Sequence, residues 1–170
     1  MVMPETSLKI RLYGDPCLRK KSIPLKVLTD QKLKLIQSMI TMMQENKGIG
    51  LAAPQLGINE RLIVVDVGEG PIVLVNPQIK STEGSAELEE GCLSIPGVMV
   101  NVTRPQRITV QYCDENNKRI EKECENLLAR VILHEIDHLN GKLIVDYAGI
   151  TKRKEIKEQL REIENQNKKF

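Results

Sequence analysis

Between Thr29 and Asn46 the apolar residues Leu33, Ile36, Ile40 and Met43 recur at steps of three and four. That spacing predicts a first amphipathic helix, capped by Thr29 or Asp30 and ended by Gly48. Met39, Met42 and Met43 share the helical spacing and are expected in its core contact. From Gly48 to Gly57 the pattern breaks; three glycines and Pro54 read as a loop. Arg61 to Val67 and Pro71 to Val75 are β-branched runs parted by Gly68-Glu69-Gly70, which is a hairpin signal. Gln78 to Glu89 reads as a polar strand or an irregular segment. Arg107 to Cys113 alternates, with Ile108, Val110 and Tyr112 on one face, and Lys118 to Cys124 can pair with it through a turn at Asp114 to Lys118. That pairing would set Cys113 and Cys124 opposite one another as two small apolar side chains. Glu125 to Asn140 predicts a second helix closed by Gly141. Thr151 to Asn167 predicts a third, with Ile156, Leu160 and Ile163 as its stripe. The order is α+β: short antiparallel strands packed around a central helix, with an N-terminal helix and a C-terminal helix. No repeat, low-complexity tract or linker divides residues 1–170, so one domain is expected.

Composition narrows the class. A chain of 170 residues with 41% hydrophobic residues is too apolar for disorder, and no apolar run reaches the roughly 18 to 20 residues of a membrane span. Met1 to Leu12 lack the apolar stretch of a secretory signal and the arginine- and serine-rich character of a transit peptide, so a cytoplasmic location is expected. Aromatics at 2% leave little for stacking bases, and a net charge of +2 is a weak footprint for sequence-specific nucleic-acid binding. Cys17, Cys92, Cys113 and Cys124 show neither C-x-x-C pairs nor dense disulfide spacing, which suits a reducing compartment.

The chemistry concentrates in His134-Glu135-Ile136-Asp137-His138. At about 100° per residue the two imidazoles fall on one helix face, one turn apart, where they can share a divalent metal. Glu135 projects to the flank, as suits a general base beside the metal. Both histidines of the chain lie in this motif, so no third one completes the coordination sphere. Glu158 lies twenty residues past His138, in a charge-rich helix where a solvated i,i+4 network accounts for it. A thiolate is the other candidate. Cys92, in Glu90-Gly91-Cys92-Leu93-Ser94, is soft, anionic and matched to zinc or ferrous iron beside imidazole.

These segments, with Gly48-Ile49-Gly50-Leu51-Ala52-Ala53-Pro54-Gln55 and the continuation His138-Leu139-Asn140-Gly141, resemble the three motifs of bacterial peptide deformylase in the family's order and spacing. The resemblance covers nearly the whole chain and implies a metal-dependent hydrolase that removes the N-formyl group from the initiator methionine of new polypeptides, releasing formate. It implies that Cys92, His134 and His138 hold the metal, naturally Fe2+, with Zn2+, Ni2+ or cobalt as replacements. It implies that Glu135 moves the proton, and that the Gln55 amide and the Leu93 backbone N–H stabilise the oxyanion. Gly48 and Gly50 would let the substrate backbone run alongside as an added strand, Gly91 would also bind substrate, and Leu127 and Val131, on the ligand face of the helix, would line the methionine pocket with Ile49 from the glycine loop. Arg104, ahead of Pro105, matches a family arginine and is expected to pair with Asp137 and brace the helix. Leu133 departs from the family's frequent glutamine, and the stem of Arg130 is expected to rim the pocket. Seven basic and four acidic residues between Lys152 and Lys169 suit a solvated helix, and by resemblance a dock at the ribosome exit tunnel. Two other readings stay open at this point: a general metallopeptidase, and a non-catalytic domain stapled by a structural metal.

Overall fold

A computed structural model describes residues 7–169. Residues 1–6 of the stretch read above for targeting signals, and Phe170, lie outside the described residues. The first helix, α1 (Asp30–Glu45), begins where the Thr29 hydroxyl accepts from the Lys32 N–H. It buries Ile36, Met39, Ile40 and Met43, while Leu33 of the expected stripe is exposed. Its end is turned by Lys47, which takes the left-handed conformation expected of Gly48. The glycine segment that follows is ordered rather than a loop. It forms a strand, β1 (Gly50–Ala52), and a 3-10 turn, Ala53–Leu56, because β1 finds a partner in β2 (Leu62–Val65).

The sheet runs β1-β2-β3-β6-β7, all neighbours antiparallel, with β3 Ile72–Glu83, β6 Arg107–Cys113 and β7 Arg119–Glu125. The continuous apolar run of β2 is explained by its two covered faces. Ile63 and Val65 pack in one cluster with the second helix, α2 (Asn126–Leu139), while Leu62 and Val64 pack in another with α1. Ile108, Val110 and Tyr112 of β6 are buried on the α2 side, as their alternation predicts. The cysteines do not face each other: Cys124 stands opposite Ile108 and Cys113 opposite Arg119, because the register of the β6–β7 hairpin is set by its turn.

A second, two-stranded sheet stands apart: β4 (Ala86–Cys92) and β5 (Ile95–Arg104). The predicted Gln78–Glu89 segment is thus divided between two sheets at Gly84, whose φ is +73°. Strand β5 was not anticipated, although Val98, Val100 and Val102 alternate clearly and all point inward. A lone hairpin is marginal in water. This one gains a core from Leu143, Ile144, Val145 and Ala148 and from Ile156 and Ile163 of the third helix, α3 (Ile150–Lys168). Helix α2 ends as the sequence predicts, at Gly141 with φ +73°. No described helix is long and apolar enough to cross a membrane.

Candidate metal centre

Three packed regions meet at one cleft. Helix α2 brings His134, Glu135 and His138; the end of β4 brings Cys92; the 3-10 turn after β1 brings Gln55. The sulfur of Cys92 and one nitrogen from each histidine lie within 4.8 Å of one another. Cys92 Sγ sits 3.3 Å from His138 Nε2. The Nδ1–H of His134 donates to Glu90 Oε1 at 2.9 Å, which fixes the ring and leaves Nε2 as its ligand atom. One soft thiolate with two imidazoles suits a borderline-soft divalent ion such as zinc or ferrous iron, so the donor set fits a metal. It holds three protein ligands rather than the four of a closed structural site.

The surrounding charges are tuned by burial. Glu135 is buried, and its Oε2 finds no partner among the described residues; burial pushes its carboxyl up to about 7. Burial also disfavours the charged form of both imidazoles. At His138 the nearby cations His134 and Arg104 reinforce burial and hold the ring neutral. At His134 the hydrogen bonds of Cys92 and Glu90 outweigh burial and hold the proton more tightly; a metal bound there would have to displace it. Glu90 is the reverse case: burial alone would raise it, but His134 and Arg104 bring its carboxyl down to about 2.

Gln55 is oriented from behind. Its Oε1 accepts from the Ala52 N–H at 2.9 Å, so the amide nitrogen faces inward, donating to Ser94 Oγ at 3.1 Å and standing 3.7 Å from Cys92 Sγ. Gly50 lets β1 lie against α2: a Cβ there would stand 2.4 Å from Glu135 Oε1 and 2.8 Å from Val131 Cγ1. The cleft, of about 660 Å³, runs between β1 and the β4–β5 hairpin. Its lining takes in Gly48, Ile49, Gly50, Gln55, Gly91, Cys92, Leu93, Leu127, Val131, His134 and Glu135; His138 is buried behind it. Ile49, Leu88 and Leu127 leave an exposed apolar rim around its mouth.

Arg104 does pair with Asp137, at 3.0 Å, and it also forks onto Glu90 at 2.7 and 3.0 Å. Tyr147 adds its hydroxyl, donating to Asp137 Oδ2 at 2.6 Å. Sequence reasoning missed Glu90, Ser94 and Tyr147 as parts of this centre. Glu90 carried a signal: it lies two residues before Cys92, so both are on one side of an extended strand. Arg130 is among the residues lining the cleft, and its guanidinium donates to Glu90 and to the Val102 and Ala86 carbonyls.

Residues 7–154 match the family described as Polypeptide deformylase. The chain is 47% identical over 154 residues to a peptide deformylase of Thermoanaerobacter pseudethanolicus, covering 91% of this chain and 97% of the relative. A crystal structure of the Thermotoga maritima peptide deformylase is 44% identical and superposes with a TM-score of 0.81, covering 82% of this chain and 95% of that one. A plant peptide deformylase superposes with a TM-score of 0.91 at 36% identity over 99% of this chain and 95% of its own.

Proposed function

The chain belongs to the polypeptide deformylase family, and from that membership we propose how its residues divide the work of removing the formyl group from newly made polypeptides. The family is metal-dependent, and Cys92, His134 and His138 would hold the ion. When bound, the metal supplies Lewis acidity, polarising oxygen groups and easing the deprotonation of water near neutral pH. The observation that carries the reading is the approach of those three ligand atoms within 4.8 Å in a cleft that also presents Glu135 and Gln55.

Glu135 takes a proton from the attacking water, the remaining hydroxide oxygen bonds to the formyl carbon, and the C–N bond breaks to give formate. The same carboxyl returns the proton to the departing amine. As the formyl oxygen gains negative charge it is met by the Gln55 amide N–H and the Leu93 backbone N–H, donors worth about 10²–10³ in rate each. The peptide runs along Gly48, Ile49 and Gly50 as an added strand, passing Gly91, and its methionine side chain fills the apolar wall of Leu127 and Val131. We read residues 1–170 as one catalytic domain working in the cytoplasm. The ion in the cell is Fe2+, and Zn2+ or Ni2+ can take its place in purified protein.

Formate release from formyl-methionyl peptides by anaerobically purified protein tests this. Activity should vanish in Glu135→Ala with metal retained, and vanish with the metal in Cys92→Ala. An iron-loaded protein that yields no formate would refute the reaction, and an active Cys92→Ala would refute the ligand set. The excess of basic residues on α3 supports a dock on the ribosome. Ile163 is buried and Asn167 donates to the carbonyls of Leu12 and Tyr13, so truncating α3 would also disturb its packing. Reversing the exposed Lys154, Lys157 and Lys168 to glutamate is the cleaner test. Ribosome binding should weaken while hydrolysis of free peptide is unchanged; equal ribosome affinity removes the docking role.

A further inference from the structure

The metal ligands come from two regions that share no hydrophobic cluster among the described residues. Helix α2 packs with the five-stranded sheet, whereas Cys92 and its hairpin pack with residues 143–148 and α3. Apolar burial therefore sets each region internally but not the distance between them. The seam is crossed by polar groups. Arg104 grips Glu90 from within the same hairpin, so that fork fixes the carboxylate but holds nothing on α2; its reach to the helix is the Asp137 pair.

Arg130 works in the opposite direction. It stands on α2 one turn before His134. Its Nη1 donates to Glu90 Oε2 at 2.6 Å and to the Val102 carbonyl at 2.9 Å, and its Nη2 donates to the Ala86 carbonyl at 2.7 Å. One planar, permanently charged fork on the helix thus holds backbone on both strands of the hairpin, and backbone acceptors cannot swing away as side chains can. The same fork loads Oε2 of Glu90, the oxygen that His134 does not use.

We propose that Arg130 is a positioning residue for the metal site: it sets the distance between the two-histidine helix and the Cys92 hairpin, and it aims Glu90 Oε1 at His134. The inference rests on the metal reading above. Groups that orient metal ligands from behind typically govern affinity by about 10–100-fold. The test is cobalt(II) binding, measured by competition with a chelator and by the thiolate-to-cobalt and d–d absorption bands. Arg130→Met keeps the stem and removes the fork, and should bind cobalt about 10–100-fold more weakly with shifted bands. Arg130→Lys, which can hold fewer of the three acceptors, should fall between it and the wild type. Ile156→Val, a core change in the hairpin's cluster with no polar link to the seam, should lower thermal stability while leaving both cobalt readouts alone. Should Arg130→Met fail to fold, Arg130→Lys decides: weaker binding with shifted bands supports the role, and wild-type affinity and bands overturn it. An Arg130→Met protein that loses stability but binds cobalt as the wild type does overturns the inference and leaves the metal reading standing. Wild-type protein that binds no cobalt overturns both.

Discussion

Glu135 and Gly50 show how little room the reacting groups have. Gly50 has no side chain because Glu135 Oε1 occupies the space that a Cβ would need. Gly50→Ala should push the carboxyl aside, and since a misplacement near 1 Å can cost about 10²-fold, turnover at saturating formyl peptide should fall by that order with metal content unchanged. Unaltered turnover would mean that the carboxyl has a productive position elsewhere. Glu135→Gln keeps the shape and removes the base; formate release should fall by about 10²–10⁴-fold. Elemental analysis should find its metal retained, and metal loss would instead make Glu135 a structural group.

At the scale of elements, α2 has two kinds of neighbour. It is packed on the main sheet by Ala129, Val131, Ile132, Ile136 and Leu139, and linked to the hairpin by charge. Burying Arg104, Arg130 and Glu90 beside the half-buried Asp137 is tolerable because two cations meet two carboxylates and most donors are satisfied. Removing Arg104 strips Asp137 of its counter-ion and leaves the buried Glu90 with Arg130 as its remaining arginine. Arg104→Ala should therefore cost about 3–5 kcal/mol of stability and lower metal retention with it, as read from chemical unfolding and from metal content after gel filtration. Loss of neither would show that the pairings are dispensable. The hairpin shares its apolar core with α3 and the 143–148 segment, so the C-terminal helix stabilises the sheet that carries Cys92.

For the whole molecule, the centre is a junction. Its histidines belong to one packed region, its cysteine to a second, and Gln55 follows a strand that contacts the α1 side. A metal bound at such a junction favours the folded state by mass action, by about 2.7 kcal/mol at a free concentration 100 times Kd. Stripping the protein with a chelator should lower its thermal midpoint, and readdition of Zn2+ should restore it. An unchanged midpoint would show that the ion does not couple the regions.

Much of this was legible in the chain. Helices α1 and α3 follow from three-and-four spacing and the end of α2 from Gly141, the β2–β3 hairpin from β-branched runs around a glycine turn, and the β6–β7 hairpin from alternation, because those signals are local. The pair of histidines on one face is likewise a consequence of helical pitch. Other features were not local. β1 is a strand only because β2 lies beside it, β5 gains its partner and its core from elsewhere in the chain, and Cys124 faces Ile108 because a turn sets the register. The sequence by itself determined the α+β class, the two-histidine helix and the resemblance that named Cys92, Gln55 and Leu93. Tertiary structure alone decided that Glu90 clamps His134, that Ala52 turns the Gln55 amide inward, and that the Arg130 guanidinium binds the hairpin. The reason is physical: pitch and alternation act between residues a few positions apart, whereas a buried charge takes its partner from whatever the fold brings within hydrogen-bonding distance.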